Sequence, residues 1–243
     1  MTRSSTARVA AVSYTGGKDC TLALHRIKEQ GVRIAVLVTF SPPLTQVSSF
    51  KAHPLDVIQK QAEALGLPHV LCIIKGPNYL EDYRREILQL KRTYGIDELV
   101  TGDILPVCSN FMERAVEGSG VQLIRPLWEQ PQNELLTEML EKRGFKILIT
   151  CINLKKIPIA VLQKVQEHFD VGRCLTRTAL DTLIAAHTNA SLSPTGEYGE
   201  LHTMVTECPL YNGKKLLIDG DTYIDEDFAY LKINQVELVN DKE

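Results

Sequence analysis

Residues 13–20 read Ser13-Tyr14-Thr15-Gly16-Gly17-Lys18-Asp19-Cys20. They follow the apolar run Val9 to Val12 and lead into a segment with Leu22, Ala23 and Ile27 at helical spacing, ending before Gly31. A strand that turns through two glycines into a helix lets backbone N–H groups approach an anion without Cβ interference, and it aims the positive end of the helix at the same place. Lys18 adds a full charge. A nucleotide P-loop needs glycine five positions before the Gly-Lys pair and Ser or Thr after the lysine. Val12 and Asp19 stand there, so the turn is not that loop and is either an anion cradle of another kind or a tight strand-to-helix turn with an exposed lysine.

Working outward, further β-branched and apolar runs recur at Ile34 to Phe40, Val70 to Ile74, Leu99 to Thr101, Val121 to Ile124 and Phe145 to Ile152. Between them lie helical periods: Leu55, Ile58, Ala62 and Leu65 after Pro54; Leu80, Tyr83, Ile87 and Leu90; Leu135, Leu136, Met139 and Leu140 before Gly144. Gly31, Gly66 and Gly144 stand where left-handed caps are expected. This alternation predicts an α/β fold, a parallel sheet with helices on both faces, over residues 1–152. From 153 to 243 the pattern changes. Two helical segments, Ile159 to Phe169 and Thr176 to His187, precede strand-like runs at Leu201 to Thr206, Lys214 to Asp219 and Phe228 to Val239, and Asn212-Gly213 reads as a hairpin turn. A smaller α+β lobe with hairpins is expected there.

The 243 residues are 44% hydrophobic and 23% charged with a formal net charge of -3, which disfavours stable nucleic-acid binding. No apolar run approaches the ~18 residues that span a bilayer, and Met1 to Arg8 lacks the apolar segment of a signal peptide, so no membrane association and a cytoplasmic location are expected. The six cysteines have no CxxC spacing, as suits reduced thiols and not a disulfide or zinc framework.

Asp103 follows a strand and Gly102, where open α/β sheets bind ligands, so it either holds magnesium or caps a turn. His53 precedes Pro54 and either joins a site or caps the next helix. Glu197, Glu200 and His202 lie on a glycine-flanked loop entering a strand; alternation would put Glu200 and His202 on one face, to grip an amine or relay a proton, or the three form a satisfied loop network.

The turn resembles the Ser-Gly-Gly-Lys-Asp-Ser signature of the PP-loop ATP pyrophosphatases, the adenine nucleotide alpha hydrolase-like (HUP-like) superfamily. Thr15 matches the signature serine by position, and Cys20 departs from the terminal serine. Within that superfamily the chain resembles the diphthine–ammonia ligase family over Val9 to about Asp219. The likeness runs through His53, Gln61 to Pro68, Gly95-Ile96-Asp97, Val100 to Ile104, Pro126-Leu127-Trp128, Gly196 to Thr203 and Cys208-Pro209-Leu210.

The resemblance implies an ATP-dependent ligase that adenylates a carboxylate and displaces AMP with ammonia. ATP would lie on Ser13, Thr15, Gly16, Gly17, Lys18, Asp19, Cys20, His53, Gly102 and Asp103, with Mg2+ on Asp103. The acceptor would meet Glu197, Glu200, His202 and Thr203, and the catalytic set would be Lys18, Asp19, Glu200 and His202. The implied acceptor is diphthine on translation elongation factor 2, with ammonia from solution or a separate protein, and the chain could act as a homodimer. Tyr198 and His202 depart from the family's Glu-Gly-Gly-Glu-aromatic-Glu-Thr/Ser pattern, and His at the latter position is shared with a sister branch linked to corrinoid metabolism. Alternatives are therefore amidation of a small-molecule or corrinoid carboxylate, or a nucleotide-binding regulatory protein without turnover.

Overall fold

A computed structural model describes residues 8–43, 51–106, 110–187 and 192–240. The chain divides into two compact units: residues 1–14, 19–46 and 66–128 form the first, and 15–18, 47–65 and 129–243 the second.

The first unit is built on five parallel strands, β1 (Val9–Ser13), β2 (Arg33–Ser41), β3 (His69–Ile73), β4 (Glu98–Val100) and β5 (Gln122–Ile124), in the order β3-β2-β1-β4-β5. The helix α1 (Lys18–Glu29) follows β1, with Leu22, Ala23, Leu24 and Ile27 fully buried. Asp19 in its first turn and Arg26 and Lys28 in its last complement the helix dipole. α2 (Leu55–Leu65), which connects β2 to β3 in the chain, belongs to the second unit. α3 (Tyr79–Tyr94) starts at Asn78, whose side chain accepts from the Glu81 amide, and stops at Gly95 in the left-handed conformation. Its Ile87 and Leu90 join Ala11, Val36, Val38, Leu99 and Ala115 in one core, the last from α4 (Phe111–Val116). β1 lies between β2 and β4, where the direction of winding reverses. The carboxyl ends of β1 and β4 are thus neighbours, and the residues that follow them in this unit, Tyr14 and Thr101-Gly102-Asp103, occupy the switch point where such sheets take ligands.

The second unit carries α5 (Gln132–Thr137), which runs into a π-helical turn at Glu138–Lys142, and α6 (Ile159–Val165) and α7 (Arg177–Ala186), which pack on one another. Its sheet is antiparallel, with β6 (Lys146–Asn153), β7 (Leu201–Glu207), β8 (Lys214–Asp225) and β9 (Phe228–Asn240) in the order β7-β6-β9-β8. α2 lays Val57, Ile58, Gln61, Ala62 and Leu65 against β8, β9 and the 3-10 turn Pro209–Tyr211.

Two expectations are corrected. The sixth apolar run, read as a parallel strand, is the antiparallel β6. Ile147 to Ile152 is buried without interruption, and a strand covered on both faces carries no alternation by which to tell the two sheet types apart. Asn212-Gly213 is not a hairpin turn. Asn212 (φ 56°) and Gly213 (φ 77°) close the 3-10 turn, while β7 and β8 stand at opposite edges of their sheet. The hairpin joins β8 to β9 through Glu226 (φ 51°) and Asp227, with Asp225 opposite Phe228, a two-residue turn without the Asn or Gly that marks one in sequence. The glycines expected as caps, Gly31, Gly66 and Gly144, all take positive φ.

Candidate functional site

In the second unit, residues 15–18 dock on the free edge of β7. The Val205 amide donates to the Gly16 carbonyl at 2.9 Å, and the Lys18 amide reaches Thr203 Oγ1 at 3.4 Å. Gly16 needs to be glycine twice over. Its φ is +77°, and an added Cβ would stand 2.1 Å from Gln61 Oε1 and 2.6 Å from Met204 Cε. At Gly17 a Cβ would press to 3.2 Å from the Thr203 carbonyl oxygen. Gln61 fastens the segment: its Nε2 donates to the carbonyls of Gly16 (2.9 Å) and Val205 (2.8 Å). Gln61 did not figure among the residues expected at the site. Its signal was a lone amide on the otherwise apolar stripe of α2, formed by Val57, Ile58, Ala62 and Leu65.

Local folding also brings two histidines together. The ladder of β6 with β7 is irregular between Ile149 and Cys151, and Thr150 at that point donates its hydroxyl to the Ala52 carbonyl at 2.8 Å. The next residue is His53, whose ring meets His202 of β7 edge-on, centroids 5.0 Å apart and planes at 78°. His53 keeps partial exposure as a residue, but its Nδ1 is out of water and has no hydrogen-bond partner among the described residues. Burial, and secondarily the His202 ring, lower its pKa to about 3 against an opposing backbone bond to Thr15. Burial, then the charge of Lys18, lower that of His202. Both rings are therefore neutral near pH 7 and serve as hydrogen-bonding groups. Lys18 is 3% exposed, so its ammonium is held inside the protein and not in water.

The late loop divides in role. Glu200 precedes β7 and is 2% exposed, its Oε1 accepting from the Ser193 amide at 3.2 Å and its Oε2 from the Tyr198 amide at 3.0 Å. The Glu197 amide donates to Ser193 Oγ at 3.1 Å. Thr203 is buried against the glycine segment. Of the four residues expected to meet an acceptor, His202 and Thr203 stand with residues 15–18, whereas the Glu200 carboxylate turns into its own loop.

In the first unit, β1 ends at Ser13, and Tyr14 is fully buried, its carbonyl accepting from Thr39 Oγ1 at 2.6 Å. Asp19 and Cys20 open α1 against Gly102: a Cβ at Gly102 would fall 2.6 Å from the Cys20 amide nitrogen. Cys20 is buried, at 7% exposure. Asp103, two residues on from Thr101, accepts that hydroxyl at Oδ2 (2.7 Å). Among the described residues no group of three or more His, Cys, Asp or Glu side chains could hold a metal by itself, and no helix is long and apolar enough to cross a membrane.

Comparison with known proteins agrees in both halves. Residues 7–123 match the family model described as the diphthamide synthase N-terminal domain, and residues 132–239 match that of the diphthamide synthase C-terminal domain. A diphthine–ammonia ligase of Schizosaccharomyces pombe is 24% identical over 90% of this chain, which spans 38% of that longer protein. Diphthine–ammonia ligases of Mus musculus and Homo sapiens are 25% and 24% identical, over 95% and 89% of this chain and 92% and 85% of their own. With the two family models matched end to end on a five-stranded parallel sheet and an antiparallel second unit, the chain belongs to the diphthine–ammonia ligase (diphthamide synthase) family.

Proposed function

We propose that the protein is an ATP-dependent carboxylate–ammonia ligase that amidates diphthine on elongation factor 2. The observation that carries the reading is the glycine segment: two glycines pressed against β7, a buried Lys18 and the amino end of α1 in eight consecutive residues. These features suit a polyphosphate. A Cβ at Gly16 would displace the Gln61 side chain that pins the segment, the dipole of α1 favours negative charge, and Lys18 adds a positive charge beside it. ATP as a substrate supplies the adenylyl group that turns the carboxylate into an acyl adenylate with release of pyrophosphate, and ammonia then displaces AMP.

In this reading Ser13, Thr15, Gly16, Gly17 and Cys20 shape the phosphate loop, and Lys18 stabilises negative charge on the leaving pyrophosphate. Asp19 orients the lysine or the metal. Magnesium takes few protein ligands and completes its shell with phosphate oxygens and water, so Asp103 beside Gly102 suffices as its carboxylate. His53 and His202, both neutral, hold substrate through hydrogen bonds without adding charge, and Thr203 fixes the lysine's backbone. Glu200 acts as a positioning residue that orders the Ser193–Tyr198 loop carrying Glu197.

The test is to incubate the full chain with ATP, magnesium, ammonium and diphthine-bearing elongation factor 2, and to quantify AMP and pyrophosphate. Equal yields of both, dependent on the acceptor and abolished in Lys18→Ala, are expected; neither product from folded wild-type protein would reject the reading. A second reading, amidation of a small-molecule carboxylate, is favoured by His202, which replaces an acid of the family's late motif. It is distinguished by product formation that persists without the elongation factor when small carboxylic acids are supplied.

A further inference from the structure

The first unit contains a cavity of about 170 Å³ with Tyr83, Asp103, Phe111, Glu113, Arg125 and Trp128 in its wall. Its arrangement starts from local sequence. In Arg125-Pro126-Leu127-Trp128 the Trp128 amide donates to the Arg125 carbonyl at 3.2 Å, closing a turn with proline at its second position. Leu127 is fully buried, and Arg26 of α1 donates to the Pro126 carbonyl at 2.9 Å, so the turn is anchored from within. The turn sets the Arg125 guanidinium over the Trp128 indole, 3.7 Å from the ring centroid. Arg125 Nη1 meets Glu113 Oε1 at 2.6 Å. Stacking on a fixed ring orients the guanidinium plane and its fork of donors before any ligand arrives.

We propose that Arg125 is the anchor of an oxyanion site in this cavity, with Glu113 as its resident intramolecular occupant. Arg125, Asp103 and Glu113 together carry a net charge of -1, so an anion enters only by exchange: its two oxygens take the guanidinium fork while Glu113, with its side chain 36% exposed, turns to water. A partly exposed ion pair such as Arg125–Glu113 contributes about 1 kcal/mol, whereas a bidentate charge-assisted contact is among the stronger hydrogen bonds. The exchange is therefore accessible. The shared chemistry of the ligand is a planar or tetrahedral oxyanion, supplied either by an acceptor carboxylate or by a phosphate. The cavity shares Asp103 with the magnesium position of the ligase reading, but the Arg125 exchange does not depend on that reading, and its occupancy is measured without turnover.

Trp128 is the only tryptophan of the chain and reports directly on the site. The full-length protein is titrated with pyrophosphate, with ATP and with propionate while its tryptophan emission is followed. A saturable change is expected with at least one of them, and whether pyrophosphate and ATP or propionate produces it identifies the source. Arg125→Met should weaken that response at least about tenfold, and Arg125→Lys, which keeps the charge but loses the fork, should not restore it. Glu113→Gln removes the competing carboxylate and should strengthen it by about two- to fivefold. No saturable change with any of the three, or a response indifferent to both Arg125→Met and Glu113→Gln, overturns the proposal. The opposite signs expected for the two variants separate a site from a loss of folding.

Discussion

The side-chain amide of Gln61 donates to the carbonyl of Gly16 at 2.9 Å, so a helix of the second unit holds the glycine segment by a single buried side chain. The same nitrogen reaches the Val205 carbonyl at 2.8 Å. Each carbonyl has a further donor, the Val205 amide for Gly16 and the Tyr211 hydroxyl for Val205. Losing the glutamine thus removes two neutral hydrogen bonds without stranding either acceptor. Gln61→Met should cost about 1–3 kcal/mol in chemical denaturation and raise the KM for ATP more than it lowers kcat. An unchanged KM would show that the segment keeps its shape without the clamp.

Gly16 and Gly31 have nearly the same positive φ, +77° and +75°, but only the first is crowded. Gly31→Ala should cost about 1–2 kcal/mol, the price of a left-handed non-glycine residue. Gly16→Ala should cost more and weaken ATP binding in calorimetry, because its Cβ would meet Gln61 Oε1 at 2.1 Å and displace a side chain pinned by two hydrogen bonds. Equal destabilisation of the two variants with ATP binding retained would remove the clash from the account.

The histidine pair sets a pH dependence whose sign follows from burial. The folded pKa of His53 is about 3, below the ordinary 6.5. Between those values the unfolded chain binds more protons than the folded one, so stability rises with pH across that window. The contribution is fully present above pH 6.5 and is lost progressively as pH falls toward 3. His202, lowered by burial and by Lys18, adds in the same direction. Denaturation midpoints measured from pH 7 to 4 should fall less steeply in His53→Gln than in the wild type; parallel slopes would mean the ring is not desolvated.

Replacing His202 should act on the acceptor and not on the nucleotide. His202→Ala is expected to raise the acceptor KM by about tenfold, as for loss of one or two hydrogen bonds, with ATP affinity within twofold of the wild type. Steady-state kinetics with each substrate varied in turn checks this, and a matching loss of ATP affinity would assign the ring to the phosphate side.

How much of this was legible beforehand depended on which physical signal each element carries. The five parallel strands and the helices α1, α2 and α3 announced themselves through period and caps, and Gly16-Gly17-Lys18 through its place between a strand and a helix. β6 misled because a run buried on both faces has no alternation, and the Glu226-Asp227 turn because tertiary pairing, not turn chemistry, sets it. The site was legible in its residue types but not in its partners. Glu200 and His202 are two apart in sequence, yet a loop network claims one and His53 meets the other. Long-range pairs such as Thr150 with Ala52, or Gln61 with Gly16, leave no trace in local pattern.

The central claim is that the acceptor carboxylate attacks the innermost phosphate of ATP, and isotope transfer tests it most directly. With diphthine-bearing elongation factor 2 labelled with 18O in the acceptor carboxylate, and ATP, magnesium and ammonium supplied, the AMP released should carry one 18O for each amide formed. Label found in inorganic phosphate with ADP as the nucleotide product, or unlabelled AMP alongside amide, would contradict it.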